Sequence, residues 1–149
     1  MPTMKKIFAI ATMMALFATL LVSCSKSNDD DNTTSTSVAT IMSSGTWTIG
    51  SFIDHGVDRT SDYTGYTFTY EGANYSAAIL GSVVTNGTWS TGTSGSAETV
   101  MLDYGTTPPL SALKNEWKVA GKSTIQVQMV SVDAAGALNY QFTINKIVR

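Results

Sequence analysis

From residue 65 onward, apolar and polar side chains alternate with a period of two. Tyr66, Phe68 and Tyr70 fall opposite Thr67 and Thr69; Val100, Leu102 and Tyr104 fall opposite Met101 and Asp103. Ile125, Val127 and Met129 alternate with Gln126 and Gln128, and Leu138, Tyr140, Phe142 and Ile144 alternate with Asn139, Gln141 and Thr143. An extended segment with this period buries one face and wets the other, as antiparallel sheets do.

Gly, Asn and Asp punctuate the pattern in "EGAN", "TNG" (85–87), "TSGS" (93–96), "AGK" (120–122) and "DAAG" (133–136). They mark short turns between strands expected at 46–54, 65–70, 75–83, 87–91, 99–104, 116–120, 123–132 and 138–147. Two short helical turns are expected besides. Val38, Ile41 and Met42 have helical spacing, and Thr107 with Pro108 opens a turn that puts Leu110 and Leu113 on one side. The fold class is therefore all-β: a small eight-stranded antiparallel up-and-down barrel, with a two-sheet sandwich as the alternative.

Two near copies, "GTWTIG" (45–50) and "GTWSTG" (87–92), stand within this pattern. Repeat arrays need at least three units, and Trp117 lies in "NEWKV" without the Gly-Thr lead. A tryptophan opening an alternating strand belongs more often to a core than to an exposed stacking platform. A Gly-x-Trp motif at the first strand after a short helical turn resembles the lipocalin superfamily, in which that tryptophan plugs the closed end of the barrel. The ordered series "GTW", "GYTFTY", "GTW", "VMLDY" and "EWKV" resembles the small lipocalin-like lipoproteins of the Bacteroidota. The resemblance implies Gly45, Trp47 and Trp89 as structural plug residues. It also implies a small apolar or amphipathic ligand, with Tyr66, Phe68, Tyr70, Tyr104, Tyr140 and Phe142 as lining candidates. These six equally suit a filled core. Lipocalins commonly pack a late arginine over the motif tryptophan; Lys146 and Arg149 are the candidates here, neither at the family spacing.

At the N-terminus, Lys5 and Lys6 precede an uncharged run over 7–22 that ends in "LVSC". Sixteen helical residues reach roughly 24 Å, short of the roughly 30 Å hydrocarbon core, so a signal peptide over 1–23 is expected rather than a membrane span. "LVSC" resembles the lipobox of bacterial lipoproteins. That implies Cys24 as the first mature residue, carrying a diacylglycerol thioether and an N-acyl chain such as palmitate. Cys24 is the only cysteine, so no internal disulfide can form. Residues 24–40 read as a lipidated, disordered tether, because 25–37 contain no apolar side chain. Lys26 with Asp29, Asp30 and Asp31 resembles the surface-export signal of Bacteroidota lipoproteins. The expected location is the outer membrane, lipid-anchored and facing the cell surface, with the periplasmic face as the alternative. The barrel domain is expected over 41–149.

Without Lys5 and Lys6 the chain carries 7 basic and 11 acidic residues, a net charge of −4. That balance disfavours nucleic acid as a partner. No catalytic group, metal or cofactor is expected. The single His55 adjoins Asp54 in a turn-like stretch, no nucleophile elbow occurs, and Asp54, Asp58 and Asp62 read as a solvated loop. The alternative function is a surface adhesion or glycan-contact module, or a structural subunit of an envelope complex.

Overall fold

The computed structural model describes residues 35–132 and 136–148. The expected signal peptide, Cys24, the acidic run, most of the tether and Arg149 lie outside the described residues. Ser35–Arg149 form one compact unit.

The unit opens with helix α1 (Val38–Met42), followed by β1 (Thr46–Asp54) and β2 (Val57–Asp58). A 3-10 turn over Thr60–Tyr63 leads to β3 (Tyr66–Glu71), β4 (Asn74–Ile79), β5 (Ser82–Ser94) and β6 (Ala97–Asp103). A second 3-10 turn over Leu110–Leu113 precedes β7 (Asn115–Lys122), β8 (Gln126–Val132) and β9 (Leu138–Lys146). Every neighbouring pair is antiparallel. β9 returns to β1 over a ladder from Trp47↔Lys146 to Asp54↔Tyr140, so β1 and β3 to β9 form a closed ring of eight, with β2 added beside β1. The described strands and buried core residues all belong to this unit.

Two strands change partners along their length. β5 pairs with β4 through Ser82–Thr88 and with β6 through Thr88–Ser94. β1 meets β3 only at Thr46 and Trp47, then runs with β9. The ring is thus closed like a barrel and folded like two sheets that share β1 and β5. Such corners form at bends and bulges. β1 has its bulge between Ile49 and Ser51, at Gly50.

At the middle of β5, the Tyr75 ring crosses directly over its ladder partner Gly87. A Cβ at Gly87 would meet the Asp103 carbonyl oxygen and Cε1 of Tyr75, with the Tyr75 hydroxyl at 2.6 Å. Gly87 is therefore there for close approach and not for a turn. The expected break at 85–87 is corrected by this geometry. β5 runs unbroken through it, and the reversal occurs at Leu80 and Gly81, whose φ angles of 51° and 83° make the two-residue hairpin turn.

Other boundaries shift for related reasons. "AGK" continues β7 past a bulge between Val119 and Gly121, while 123–125 form the turn into β8. Ile125 and Leu138 are consequently exposed despite lying in phase with buried neighbours. The stretch expected as a solvated loop at 54–62 is largely exposed, but it is ordered as β2 and the start of the first 3-10 turn. Phe52 N–H donates to Thr60 Oγ1 (2.9 Å), Arg59 N–H donates to the Phe52 carbonyl (2.9 Å), and Tyr63 is buried. Ser37 caps α1 through its side chain and Val38 is buried, so the ordered unit takes in residues 38–40, placed by sequence in the tether.

Candidate functional site

The six lining candidates all belong to the barrel interior. Phe68 and Tyr70 on β3, Tyr104 just after β6, and Phe142 on β9 are buried, whereas Tyr66 and Tyr140 are half-buried. Around Tyr104 stand Tyr75 (ring centroids 4.1 Å apart) and Phe68 (5.7 Å), and Tyr70 packs on Trp89 (5.2 Å). Around Phe52 stand Tyr63 (5.4 Å), Phe142 (6.1 Å), Tyr140 (6.1 Å) and Trp117 (6.4 Å). Tyr66 joins the two groups, 6.2 Å from Phe68 and 6.3 Å from Tyr63. These are separations of rings in contact. Successive members of the set therefore pack on one another.

The polar atoms of this interior are neutral. The Tyr70 and Tyr104 hydroxyls bond each other at 2.8 Å, and burial pushes both phenols above their ordinary range. Burial likewise pushes the Tyr75 phenol up to about 12. The Thr85 side chain offsets part of that rise, but the Tyr75 hydroxyl makes no hydrogen bond of normal geometry. Nε1 of Trp89 is also buried without an acceptor. None of these phenols supplies a base or nucleophile near neutral pH.

Both ends of the ring are stoppered in the same way. At the end where β1 begins, Trp47 Nε1 donates to the Met42 carbonyl at the close of α1 (2.8 Å). At the opposite end, where β7 begins, Trp117 Nε1 donates to the Leu113 carbonyl at the close of its 3-10 turn (3.0 Å). Each unit is a helical turn, an apolar residue at its last position and an indole on the strand that follows. Val38 N–H donates to Glu98 Oε1 (3.1 Å), and Glu98 is ion-paired to Lys122, which ties α1 to the wall. At the far end the Tyr63 hydroxyl donates to the Pro109 carbonyl (3.0 Å) and joins the two 3-10 turns.

Trp47 is buried at one end of the ring and bonded to the helical turn before it. The structural counterpart of Trp47 is Trp117; Trp89, expected as a plug at a strand start, is in the middle of β5 and lines the core. The signal for Trp117 lies in the apolar helical turn that ends at Leu113, four residues before it, as α1 ends at Met42, five residues before Trp47. Lys146 pairs with Trp47 across the ladder; its stem passes over Gly45 and its Nζ donates to Ser44 Oγ (3.0 Å).

His55 occupies the turn into β2, with Nδ1 2.6 Å from Asp54 Oδ1 and its ring edge-on to Tyr140 at 4.9 Å. His55 is exposed and Asp54 partly so. Among the described residues no three His, Cys, Asp or Glu side chains converge as metal ligands would.

No protein-family model and no curated protein matches the chain. Among solved structures the chain is similar to a lipocalin-like protein from Bacteroides uniformis, at 14% identity and a TM-score of 0.45, over 72% of this chain and 99% of that one. The chain's own hydrogen-bonded ladder makes it a closed eight-stranded antiparallel barrel with one added strand and short helical turns.

Proposed function

We propose that the chain is a lipid-anchored outer-membrane protein whose barrel acts through its outer surface, as a contact module or structural subunit of the envelope. The observation that carries the surface role is the continuous run of touching rings between two stoppered ends. Interior rings that pack on one another favour recognition at the strand exteriors, which here are rich in Ser and Thr. The anchor rests on the basic, apolar and "LVSC" succession before Cys24, and surface display on Lys26 with Asp29, Asp30 and Asp31.

Titrating the barrel unit with fatty acids, bile-acid-like amphiphiles and glycans, followed by calorimetry and tryptophan fluorescence, tests the surface role. A response confined to glycans, or none to amphiphiles, is expected. A saturable fluorescence shift with amphiphiles alone overturns it. Cys24→Ala tests the anchor: the variant is expected to be soluble or unprocessed, and one that fractionates with the outer membrane like the wild type refutes lipidation.

A second reading, a small amphipathic ligand held inside, is favoured by the unpartnered Tyr75 hydroxyl and Trp89 Nε1. A buried polar atom without a partner costs about 1–3 kcal/mol, which a ligand's polar group would relieve.

A further inference from the structure

We propose that the free edge of β5 pairs antiparallel with the same edge of a second copy of this chain, making a two-fold dimer. The inference starts from the change of partner at Thr88. Residues 82–87 are hydrogen-bonded to β4 alone, because β6 takes up β5 only from Thr88 onward. Among the described residues nothing pairs with their other edge. Ser82, Val83, Val84 and Asn86 are exposed, with Val83 at 59% and Val84 at 49% of their free surface.

Folded chains normally protect such an edge with a lysine, an inward charge or a proline. None is present here: from Gly72 to Ala97 the sequence holds no Asp, Glu, Lys, Arg, His or Pro. A bulge opposite Ala77 and Ala78 adds one residue to β5 and leaves Val83 and Val84 both in solvent. β-Branched residues at this edge favour further pairing.

Leu80 points the same way. It occupies the hairpin tip with φ at 51°, a conformation that disfavours a branched bulky side chain, and it is 93% exposed. Neither the turn nor the barrel core uses its side chain. A second molecule seated along 82–87 would cover Leu80, Val83 and Val84 together.

Charge selects the occupant. Between residues 35 and 149 the chain carries 6 basic and 8 acidic side chains, so two copies repel weakly over most of their surface. Residues 82–87 carry no charge, and Asp103, the ladder partner of Thr88 just beyond them, is paired with Lys114 at 3.1 Å. An uncharged strand edge is also complementary to itself about a two-fold axis, since antiparallel backbones exchange the same donors and acceptors. The proposal is independent of the lipid anchor and of what the interior holds.

Sedimentation equilibrium of the Ser35–Arg149 unit across the micromolar range tests it. The wild type is expected to be a monomer–dimer mixture. Val84→Lys places like charges across the axis and is expected to raise the dissociation constant at least about 100-fold, whereas Ile125→Lys, on another exposed apolar site, leaves it unchanged. The unit has no cysteine of its own, so Val84→Cys is expected to oxidise to a covalent dimer much faster than Ile125→Cys. A wild type that stays monomeric throughout, a dimer insensitive to Val84→Lys, or equal oxidation of the two cysteine variants overturns the proposal. So does a monomer that binds lipid vesicles through Leu80 and Val83, which would assign the edge to a membrane surface.

Discussion

Replacing Gly87 with alanine sets a methyl group against the Asp103 carbonyl oxygen, Cε1 of Tyr75 and the Tyr75 hydroxyl at once. The first of these is backbone in the neighbouring strand, and the ring is itself held by Tyr104 at 4.1 Å, so neither neighbour can swing aside. Overpacking a rigid site costs about 1–3 kcal/mol. Parting β5 from β6 next to it forfeits roughly one ladder hydrogen bond, about 1 kcal/mol more. A destabilisation of about 2–4 kcal/mol follows, lowering Tm by on the order of 10–15 °C for a domain of this size. Gly45 of the other "GTW" is the matched control. An added Cβ there meets Cε of Lys146 at 2.6 Å, the far end of a flexible side chain that can move into solvent, and the expected loss is under about 1 kcal/mol. Gly92→Ala, facing only Thr99 Oγ1 at 3.3 Å, is expected to be near neutral. Urea unfolding followed by tryptophan fluorescence ranks the three. A Gly87→Ala midpoint within about 1 kcal/mol of wild type, or a Gly45→Ala loss as large, would refute the close-approach argument.

Tyr70→Phe strands the buried Tyr104 hydroxyl and is expected to destabilise by about 1–3 kcal/mol, with Tyr70→Phe/Tyr104→Phe losing less than the sum of the single changes; additive unfolding energies would dissolve the pair. Trp117→Phe breaks the bond to Leu113, whereas Trp89→Phe removes an N–H that has no acceptor, so thermal unfolding should place Trp117→Phe well below Trp89→Phe. Lys122, then the Val38 N–H, holds the Glu98 carboxyl below the usual glutamate range against the opposing effect of burial. A lowered folded-state pKa gives stability that is full above the ordinary glutamate value and lost as pH falls through the lowered one. The stability gap between wild type and Glu98→Gln should therefore hold at neutral pH and close in acid; a gap independent of pH would contradict the pairing.

The strands legible in the sequence are those with one face in the core. Tyr66 to Tyr70, Val100 to Tyr104 and Phe142 to Ile144 keep period two because their other face meets water. β5 was not legible in this way. It is exposed on both faces over 90–94 and at its open edge over 82–84, so Val83 was assigned to the preceding strand and Gly87 to a turn. The likeness of "GTWTIG" and "GTWSTG" was equally misleading, since Gly45 accommodates a lysine stem and Gly87 a tyrosine ring. The indole's hydrogen bond to a preceding helical turn, which sequence alone does not give, separates Trp47 and Trp117 from Trp89. The inward set Tyr66, Phe68, Tyr70, Tyr104, Tyr140 and Phe142 was readable from alternation. That these rings contact one another was not, because it depends on Tyr63, Tyr75 and Phe52 arriving from other elements.

The two stoppers also govern how the interior communicates with its surroundings. Each is continuous with the strand it precedes, and each indole is bonded back to its own helical turn. Neither can act as a door on a hinge, because withdrawing Trp47 or Trp117 means peeling the first residues of β1 or β7 from the wall. Amide exchange near the two indoles times the fraying of those strand ends directly.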